Sequence, residues 1–279
     1  MPLSKVKSCI ETLQQWGFEV LVGKTVGGDS KNYFSASDED KIDELQAMLD
    51  SKEIHAILFG RGGYGMSRII DKLDFKKFKK NPKWLIGFSD LTVLHCHLFS
   101  KIKVSSIHGP MAGAFNTNNP ITIDALRNTI LGKKISYTCD GHHLNRKGQV
   151  TGELIGGNLA LLANVIGTPS DVNMKNKILF IEDVGEFLYS VDRMLQQLKR
   201  SGKLNQLAGL IIGGFTEMKD TDRPFGQSID EIIYDVVKEF SFPICFGFPI
   251  SHDKINLSVK IGIPYELHIT TKKAILKEL

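Results

Sequence analysis

A serine stands where an apolar segment becomes a helix in the stretch KWLIGFSDLTVLHCH, residues 83–97. The run WLIGF is typical of a buried strand, and a helix is predicted to begin around Ser89. A nucleophilic serine occupies this kind of turn when a glycine precedes it by two positions, and Gly87 supplies that glycine. The glycine usual two positions after the serine is missing, because Leu91 stands there. Ser89 is therefore either a nucleophile or, with Asp90, only the cap of the helix.

A serine hydroxyl becomes reactive when a base takes its proton and an acid orients that base. His252 is the first candidate base, because it follows the predicted strand FGFPIS and lies in a loop. His108, at the end of the strand after the serine helix, is the second candidate. The candidate acids are Glu182 and Asp183, which end the predicted buried strand ILFIED, and Glu186 just beyond it. Acidic residues at strand ends are often only solvated, and that interpretation stays open.

A glycine-rich loop, FGRGGYGMSR, follows the predicted strand HAILFG. Gly60, Gly62 and Gly65 fit the G-x-G-x-x-G pattern, whose backbone N–H groups hold a pyrophosphate in dinucleotide-binding proteins. The acidic residue that such a site needs for the ribose could only be Asp90, which lies in the serine corner. Two other interpretations remain: the loop directs N–H groups at a carboxylate or oxyanion, or it is only a turn.

Strand and helix patterns alternate in the first part of the chain, which favours a parallel sheet with helices on both faces. The predicted strands are FEVLVG, HAILFG, WLIGF and VSSIHG. The predicted helices lie around residues 6–17, 38–52, 64–73 and 91–102. The serine and the glycine-rich loop would then lie at the carboxyl ends of the strands, where α/β sheets carry their sites.

The pattern changes after residue 115, and the sequence predicts two α/β regions. Residues 116–150 are polar and contain glycines, so we predict a linker with short strands there. The second region, 151–279, has predicted strands KILFIED, LAGLIIGGF, ICFGF and LSVKIGIPYELHI, and helices around 158–166, 190–202 and 228–240. The predicted fold is an α/β protein in which residues 1–115 carry the serine and residues 151–279 carry the acid and the base.

Composition excludes several classes of protein. Of the 279 residues, 42% are hydrophobic and 24% are charged, so the chain can bury a core. The net charge of +4 is mild and does not indicate a nucleic-acid-binding surface, which would need concentrated basic residues. The basic run KKFKK is expected to be a solvated helix end. The longest uncharged stretch, residues 154–170, is too short and too polar for a membrane span.

Cysteine usage indicates a reducing compartment. The four cysteines are far apart in sequence and form no CxxC pair, which fits free thiols in the cytoplasm. The N-terminus shows no basic stretch followed by an apolar block, so no secretory signal is predicted.

Taken together and in order, these motifs resemble the LD-carboxypeptidase family, which includes the microcin C immunity peptidases. The matching motifs are RGGYGMSRIIDKLDF, IGFSDLTVLH, HGPM, GELIGGNLALLANVIGTP, ILFIEDVGEFLYSVDRMLQQLKRSGKL and GGFT. They span residues 55–260, and the order of the whole set makes the resemblance specific.

The resemblance implies a catalytic triad. Ser89 is similar to the family's nucleophile, Glu182 to its acid and His252 to its base, although Ser251 stands where the family has a glycine. The implied reaction is cleavage of the bond between a diamino acid and a terminal D-alanine in murein tetrapeptides, during cytoplasmic cell-wall recycling. No metal or cofactor is expected, and the only partners expected are a small peptide substrate and, since members are often dimers, a second copy.

Three further residues are candidates for binding the substrate. The backbone N–H groups of Gly63 and Asp90 would form the oxyanion hole. The planar guanidinium of Arg61 would pair with the terminal carboxylate of the substrate, unless it only forms a structural salt bridge.

Two rival functions and one departure from the family remain. The first rival is an immunity-type peptidase that cleaves acyl-aspartyl-adenylates with the same triad, and the second is a non-hydrolytic nucleotide-binding protein that uses the glycine-rich loop. Family members usually open with an apolar strand, whereas residues 1–4 here lead directly into a helix. We therefore expect either that one strand is missing from the sheet, which would affect stability and turnover, or that the sequence starts late.

Overall fold

The structure, a computed structural model, describes residues 1–27, 33–117 and 119–279. Its helices are α1 (Lys7–Gln15), α2 (Asp38–Asp50), α3 (Met66–Ile69), α4 (Lys76–Lys80), α5 (Thr92–His97), α6 (Pro120–Ile130), α7 (Leu159–Asn164), α8 (Leu188–Arg200) and α9 (Ile229–Val237). Its strands are β1 (Ala56–Leu58), β2 (Trp84–Gly87), β3 (Ser106–His108), β4 (Ser136–Asp140), β5 (Gly148–Asn158), β6 (Ile178–Val184), β7 (Gly209–Thr216), β8 (Ile244–Cys245), β9 (Val259–Ile261), β10 (Pro264–Ile269) and β11 (Lys273–Glu278).

The first sheet has the strand order β1-β2-β3-β9. Its first three strands are parallel, with Ile57 opposite Leu85 and Ile86 opposite Ile107, as the alternation of strands and helices predicts. The fourth strand, β9, comes from the second region and runs antiparallel to β3, with Lys260 opposite Ile107. The parallel sheet predicted from residues 1–115 is thus present in β1, β2 and β3, and the second region adds one antiparallel strand that the sequence did not predict.

The second sheet has seven strands in the order β4-β11-β10-β5-β6-β7-β8. Strands β5 to β8 are parallel, while β4, β11 and β10 join them through antiparallel pairs. Strand β6 lies within the parallel part and is almost wholly buried, which explains its continuous apolar sequence.

The two regions share one hydrophobic core. Leu85 and Leu94 of the first region belong to the same buried cluster as Ile155 and Leu179 of the second. This shared core fixes the position of the end of β2 relative to the end of β6. The domain limits proposed at residues 115 and 151 stay a prediction. No helix in the described ranges is both long enough and apolar enough to cross a membrane.

Two segments differ from their predicted structure. The segment FEVLVG, residues 18–23, pairs with no strand in the described chain, and Leu21 is 73% exposed. The interval 116–150 contains α6 in addition to the predicted short strand β4; the side chain of Asn119 caps α6, and Pro120 is its first residue. Both features are established helix-start signals. The interval is thus more than a linker.

Candidate active site

Ser89 occupies a strained turn and does not cap the helix. Strand β2 ends at Gly87, and a 3₁₀ turn of residues 89–91 begins at the serine and continues into α5. The backbone φ of Ser89 is +63°, a left-handed conformation that is uncommon for a residue with a side chain. The cap position belongs to Phe88, and no side chain caps this turn, so the cap interpretation of Ser89 is wrong. Strain of this kind is characteristic of functional positions.

The glycine-rich loop lies directly over Ser89. A Cβ atom at Gly62 would stand 3.0 Å from the Cβ of Ser89 and 3.2 Å from its Oγ, so the close approach requires glycine. The carboxylate of Asp90 anchors the loop, because its Oδ2 accepts a hydrogen bond of 2.7 Å from the N–H of Met66 at the start of α3. Burial raises the pKa of Asp90, while the hydrogen bonds from Met66 and Gly65 oppose that shift.

This anchoring argues against the dinucleotide interpretation of the loop. A pyrophosphate would need the N–H groups at the start of α3, and Asp90 already takes the one from Met66. The same contact occupies the only acidic residue that sequence spacing offered for a ribose. The loop therefore covers Ser89, and this contact disfavours a pyrophosphate at the start of α3.

We expect Asp90→Ala to loosen the loop over Ser89. The variant loses a buried cap on α3, which should lower the free energy of unfolding by about 1–2 kcal/mol. It should also lower kcat, because the loop lies against the serine. Urea unfolding and hydrolysis assays measure the two effects, and Asp43→Ala, on the exposed face of α2, is the matched control. Equal stability and activity in the two variants would contradict the anchoring role.

Glu182 and His252 form a close pair across 70 positions of sequence. The carboxylate oxygen Oε2 of Glu182, on β6, lies 2.5 Å from Nδ1 of His252, in the loop after β8. Glu182 is completely buried, and burial raises its pKa, whereas the hydrogen bond and charge of His252 lower it. A buried carboxylate that accepts from Nδ1 fixes the tautomer and leaves Nε2 as the basic nitrogen.

Phe88 brings this pair next to the serine turn. Its ring packs against the ring of His252 with centroids 4.7 Å apart, and Ser89 is its neighbour in sequence. The Ser89 hydroxyl makes no hydrogen bond to any residue that the structure describes. Phe88 thus contacts His252 through its ring and Ser89 through the backbone. Hydrogen bonds of catalytic groups are often long before the substrate binds.

The other candidates fall into clear positions. His108, the second candidate base, is completely buried and packs edge-on against Phe180, with ring centroids 4.9 Å apart. Burial lowers its pKa well below the usual range, so the ring is a neutral wall beneath the site. Arg61 and Gly63 are exposed in the loop, and Gly63 has a φ of +107°. Arg61 forms no salt bridge within the described residues.

Sequence reasoning missed a hydrogen-bonded connection between the two regions. The hydroxyl of Thr92, on the helix after the serine, accepts a hydrogen bond of 3.0 Å from the N–H of Asn158 at the end of β5. The Asn158 side chain donates in turn to Oδ1 of Asp183 at 2.7 Å. Because Asp183 follows Glu182 on β6, these contacts tie the helix of the nucleophile to the strand of the acid. The only sequence signal was the position of Asp183 at a strand end.

Asp183 should make stability depend on pH. Burial raises its pKa from 3.8 to about 6, despite hydrogen bonds from Val184, Asn158 and Ala160. Between these values the folded state keeps a proton that the unfolded state releases, so the free energy of unfolding falls as pH rises. The contribution is at most about 1.4 kcal/mol per pH unit.

Urea unfolding between pH 4 and pH 7 tests this dependence. Asp183→Asn should flatten the downward slope, whatever its absolute stability. Asp124→Asn, on the exposed face of α6, should keep the slope of the unmodified protein. Equal slopes for Asp183→Asn and the unmodified protein would show that Asp183 does not titrate in this range.

A buried carboxylate hydrogen-bonded to a histidine, whose ring packs against the residue before a strained serine, resembles the arrangement found in serine hydrolases. Comparison of the sequence with known protein families identifies the family. Residues 2–109 match the LD-carboxypeptidase N-terminal domain, and residues 151–267 match the LD-carboxypeptidase C-terminal domain. The chain therefore belongs to the LD-carboxypeptidase family and is a serine-type carboxypeptidase.

Individual relatives agree with this family. The chain is 31% identical to the probable murein peptide carboxypeptidase of Bacillus subtilis over 278 residues, which cover 98% of this chain and 87% of that protein. It is similar to the crystal structure of muramoyltetrapeptide carboxypeptidase from Oxalobacter formigenes, with a TM-score of 0.90, 29% identity and coverage of 100% and 95% of the two chains. It is also 24% identical to the microcin C7 self-immunity protein MccF of Escherichia coli, over 96% of this chain and 87% of that protein.

Proposed function

We propose that the chain hydrolyses the peptide bond to the terminal D-alanine of murein tetrapeptides, as a step in cell-wall recycling. The observation that carries the proposal is the Glu182–His252 pair, 2.5 Å between Oε2 and Nδ1, next to the strained Ser89 turn. The names of the Bacillus and Oxalobacter relatives support a murein peptide as the substrate.

In this proposal His252 is the general base. Its Nδ1 is held by Glu182, so Nε2 takes the proton of the Ser89 hydroxyl as Oγ attacks the carbonyl carbon of the substrate. Glu182 holds the ring in position and stabilises the imidazolium that forms. The buried position of Glu182 strengthens this interaction, because little solvent screens it.

The N–H groups of Gly63 and Asp90 would stabilise the oxyanion. Gly63 follows Gly62 in the loop that lies over Ser89, and Asp90 is the second residue of the turn that begins at Ser89, which makes their N–H groups the candidate donors. The imidazolium of His252 then protonates the departing amine, and D-alanine leaves. A water molecule activated by the same histidine hydrolyses the acyl-enzyme and restores Ser89. Each oxyanion donor would contribute a factor on the order of a hundred to a thousand in kcat.

Arg61 would recognise the carboxylate at the end of the substrate. Its guanidinium is exposed in the loop, with no carboxylate of the described chain within salt-bridge distance. A planar guanidinium binds a carboxylate through two parallel hydrogen bonds, which would require a free C-terminus on the peptide. This contact would make the enzyme a carboxypeptidase and would exclude internal peptide bonds.

Mass spectrometry of a murein tetrapeptide incubated with the protein tests the substrate. We expect release of one D-alanine and formation of the tripeptide, and no cleavage of a matched peptide that ends in L-alanine. An acyl-aspartyl-adenylate analogue, tested in parallel, examines the immunity-type activity that the MccF relative suggests. Cleavage of the analogue alone would replace the murein proposal with that activity.

The proposal includes a cytoplasmic location and a homodimer. All four cysteines are free thiols, which is compatible with a reducing compartment. Light scattering after gel filtration measures the number of copies in solution, and fractionation of cells measures the location.

A further inference from the structure

Two cysteines that are 106 positions apart in sequence meet in the fold. The sulfur atoms of Cys139, on β4, and Cys245, on β8, lie 3.6 Å apart. Strands β4 and β8 are the two edges of the seven-stranded sheet. The sheet curls so that these edges approach each other, and the antiparallel bridge between Arg146 and Ile244 holds the chain after β4 against β8.

The two thiols have different surroundings. Cys139 is half-buried and lines an open cavity of about 400 Å³ together with His142, Phe246 and Pro249. Cys245 is completely buried and does not line this cavity. A small reagent that enters the cavity therefore meets the sulfur of Cys139 first, and Cys245 stands behind it.

The contact between the sulfurs also shifts the pKa values of the two thiols in opposite directions. The hydrogen bond from Cys245 lowers the pKa of the Cys139 thiol, and the same contact, with burial, raises the pKa of the Cys245 thiol. The thiolate is the nucleophilic form of a cysteine, so Cys139 is the attacking group and Cys245 the resolving group. An accessible thiol with a lowered pKa beside a second cysteine is the usual arrangement of a peroxide-sensitive site.

We propose that Cys139 and Cys245 form a dithiol that a small hydroperoxide converts reversibly into an intramolecular disulfide. The Cys139 thiolate attacks the terminal oxygen of the peroxide, the O–O bond breaks, and the sulfur keeps the OH group as a sulfenic acid. The hydroxide or alkoxide that remains takes up the proton released by the Cys139 thiol and leaves as water or an alcohol. The sulfur of Cys245 then attacks the sulfenic sulfur. The S–O bond breaks, the hydroxide leaves with the proton of Cys245 as water, and the disulfide forms.

The geometry allows this bond with a small movement. A disulfide needs its sulfurs about 2 Å apart, so the two sulfurs must approach by roughly 1.5 Å. Cys139 lies on an edge strand that pairs only with β11, so β4 can move without breaking a second ladder. The disulfide would join the two edges of the sheet, and one of its cysteines, Cys245, lies seven positions before His252 in the sequence.

The test is a peptide map of the full-length protein after treatment with hydrogen peroxide. We expect a linked peptide pair that contains Cys139 and Cys245, has lost two hydrogen atoms and disappears on reduction with dithiothreitol. Cys9 and Cys96 should remain alkylatable after unfolding, because burial raises the pKa of each to about 12 and neither has a neighbouring thiol. Closing a loop of this length should also raise Tm by on the order of 5–10 °C.

Matched variants make the result decisive. Cys139→Ser should lose both the linked peptide and the shift in Tm, whereas Cys96→Ser should retain them. The peptide map of the unmodified protein decides the question even if a variant folds poorly. Oxidation of Cys139 to a sulfinic acid without a link, a link between two molecules, or no reaction of Cys139 while the fold remains native would each overturn the proposal.

Discussion

Ser89→Ala is expected to reduce kcat for D-alanine release by a factor on the order of ten thousand or more, with the fold retained. Removing the nucleophile of a serine hydrolase leaves only the catalysis that comes from binding and the oxyanion hole. The hydroxyl of Ser89 caps no helix in this structure, so its loss should leave the melting temperature almost unchanged. Steady-state kinetics and thermal unfolding of the same preparations measure the two quantities.

Ser228→Ala is the matched control, because Ser228 does cap a helix. Its side chain accepts from the N–H of Glu231, and the Glu231 carboxylate accepts from the N–H of Ser228, a complete capping box at the start of α9. We expect this variant to lose about 1 kcal/mol of stability and to keep its activity. The two serines should thus show opposite effects. Activity in Ser89→Ala would show that the nucleophile is a different group, and unfolding would show that the serine is structural.

Ser89→Gly separates the strain at this position from its chemistry. Glycine adopts the φ of +63° observed here without the steric penalty that a side chain carries. We therefore expect Ser89→Gly to be as inactive as Ser89→Ala and about 1 kcal/mol more stable. Equal stability of these two variants would mean that the turn carries little strain.

The alternating pattern of the first region predicted β1, β2, β3 and the helices between them, because each element carries its own periodicity. In α2, for example, Leu45 and Leu49 are buried four positions apart, as the stripe in the sequence indicates. These elements follow from local sequence, and they include the turn that presents Ser89.

The strand predictions that failed have one physical cause, which is that local sequence does not determine which strand a given strand pairs with. The segment FEVLVG has the composition of a strand but meets no strand in the described chain, and it stays unpaired. Strand β9 is only three residues long, and nothing in its sequence indicates that it would join a sheet formed by the other region. Helix α6 is different, because the signal of Asn119 and Pro120 at its start was present and readable.

For the candidate site, too, local sequence predicted the positions of residues but not their contacts. The ends of β2 and β6 predicted where Ser89 and Glu182 would lie, and the loop after the strand FGFPIS, together with the family resemblance, indicated His252. The contacts that make a site of them cross long stretches of sequence, as in the 2.5 Å pair of Glu182 and His252. Periodicity carries no information about such contacts. For the same reason the meeting of Cys139 and Cys245 could not be predicted from their spacing.

Glu182→Gln should lower kcat by a factor on the order of a thousand to ten thousand, with little change in KM. The amide has the shape of the carboxylate but no charge, so it can neither stabilise the imidazolium nor select one tautomer of His252. The effect is large because Glu182 is completely buried, where no solvent replaces the lost charge. Glu239→Gln, which removes an exposed partner of Lys199, is the matched control and should stay within twofold of the unmodified enzyme.

A double variant shows whether Glu182 acts through the histidine. If its only catalytic partner is His252, then Glu182→Gln should cost almost nothing further in a protein that already carries His252→Ala, because members of one catalytic unit are strongly non-additive. The coupling should therefore be nearly as large as the effect of Glu182→Gln alone. If the loss of kcat in the double variant equals the product of the losses in the two single variants, Glu182 acts independently of His252, through the substrate or the strand end. The proposed triad of Ser89, His252 and Glu182 would then be wrong.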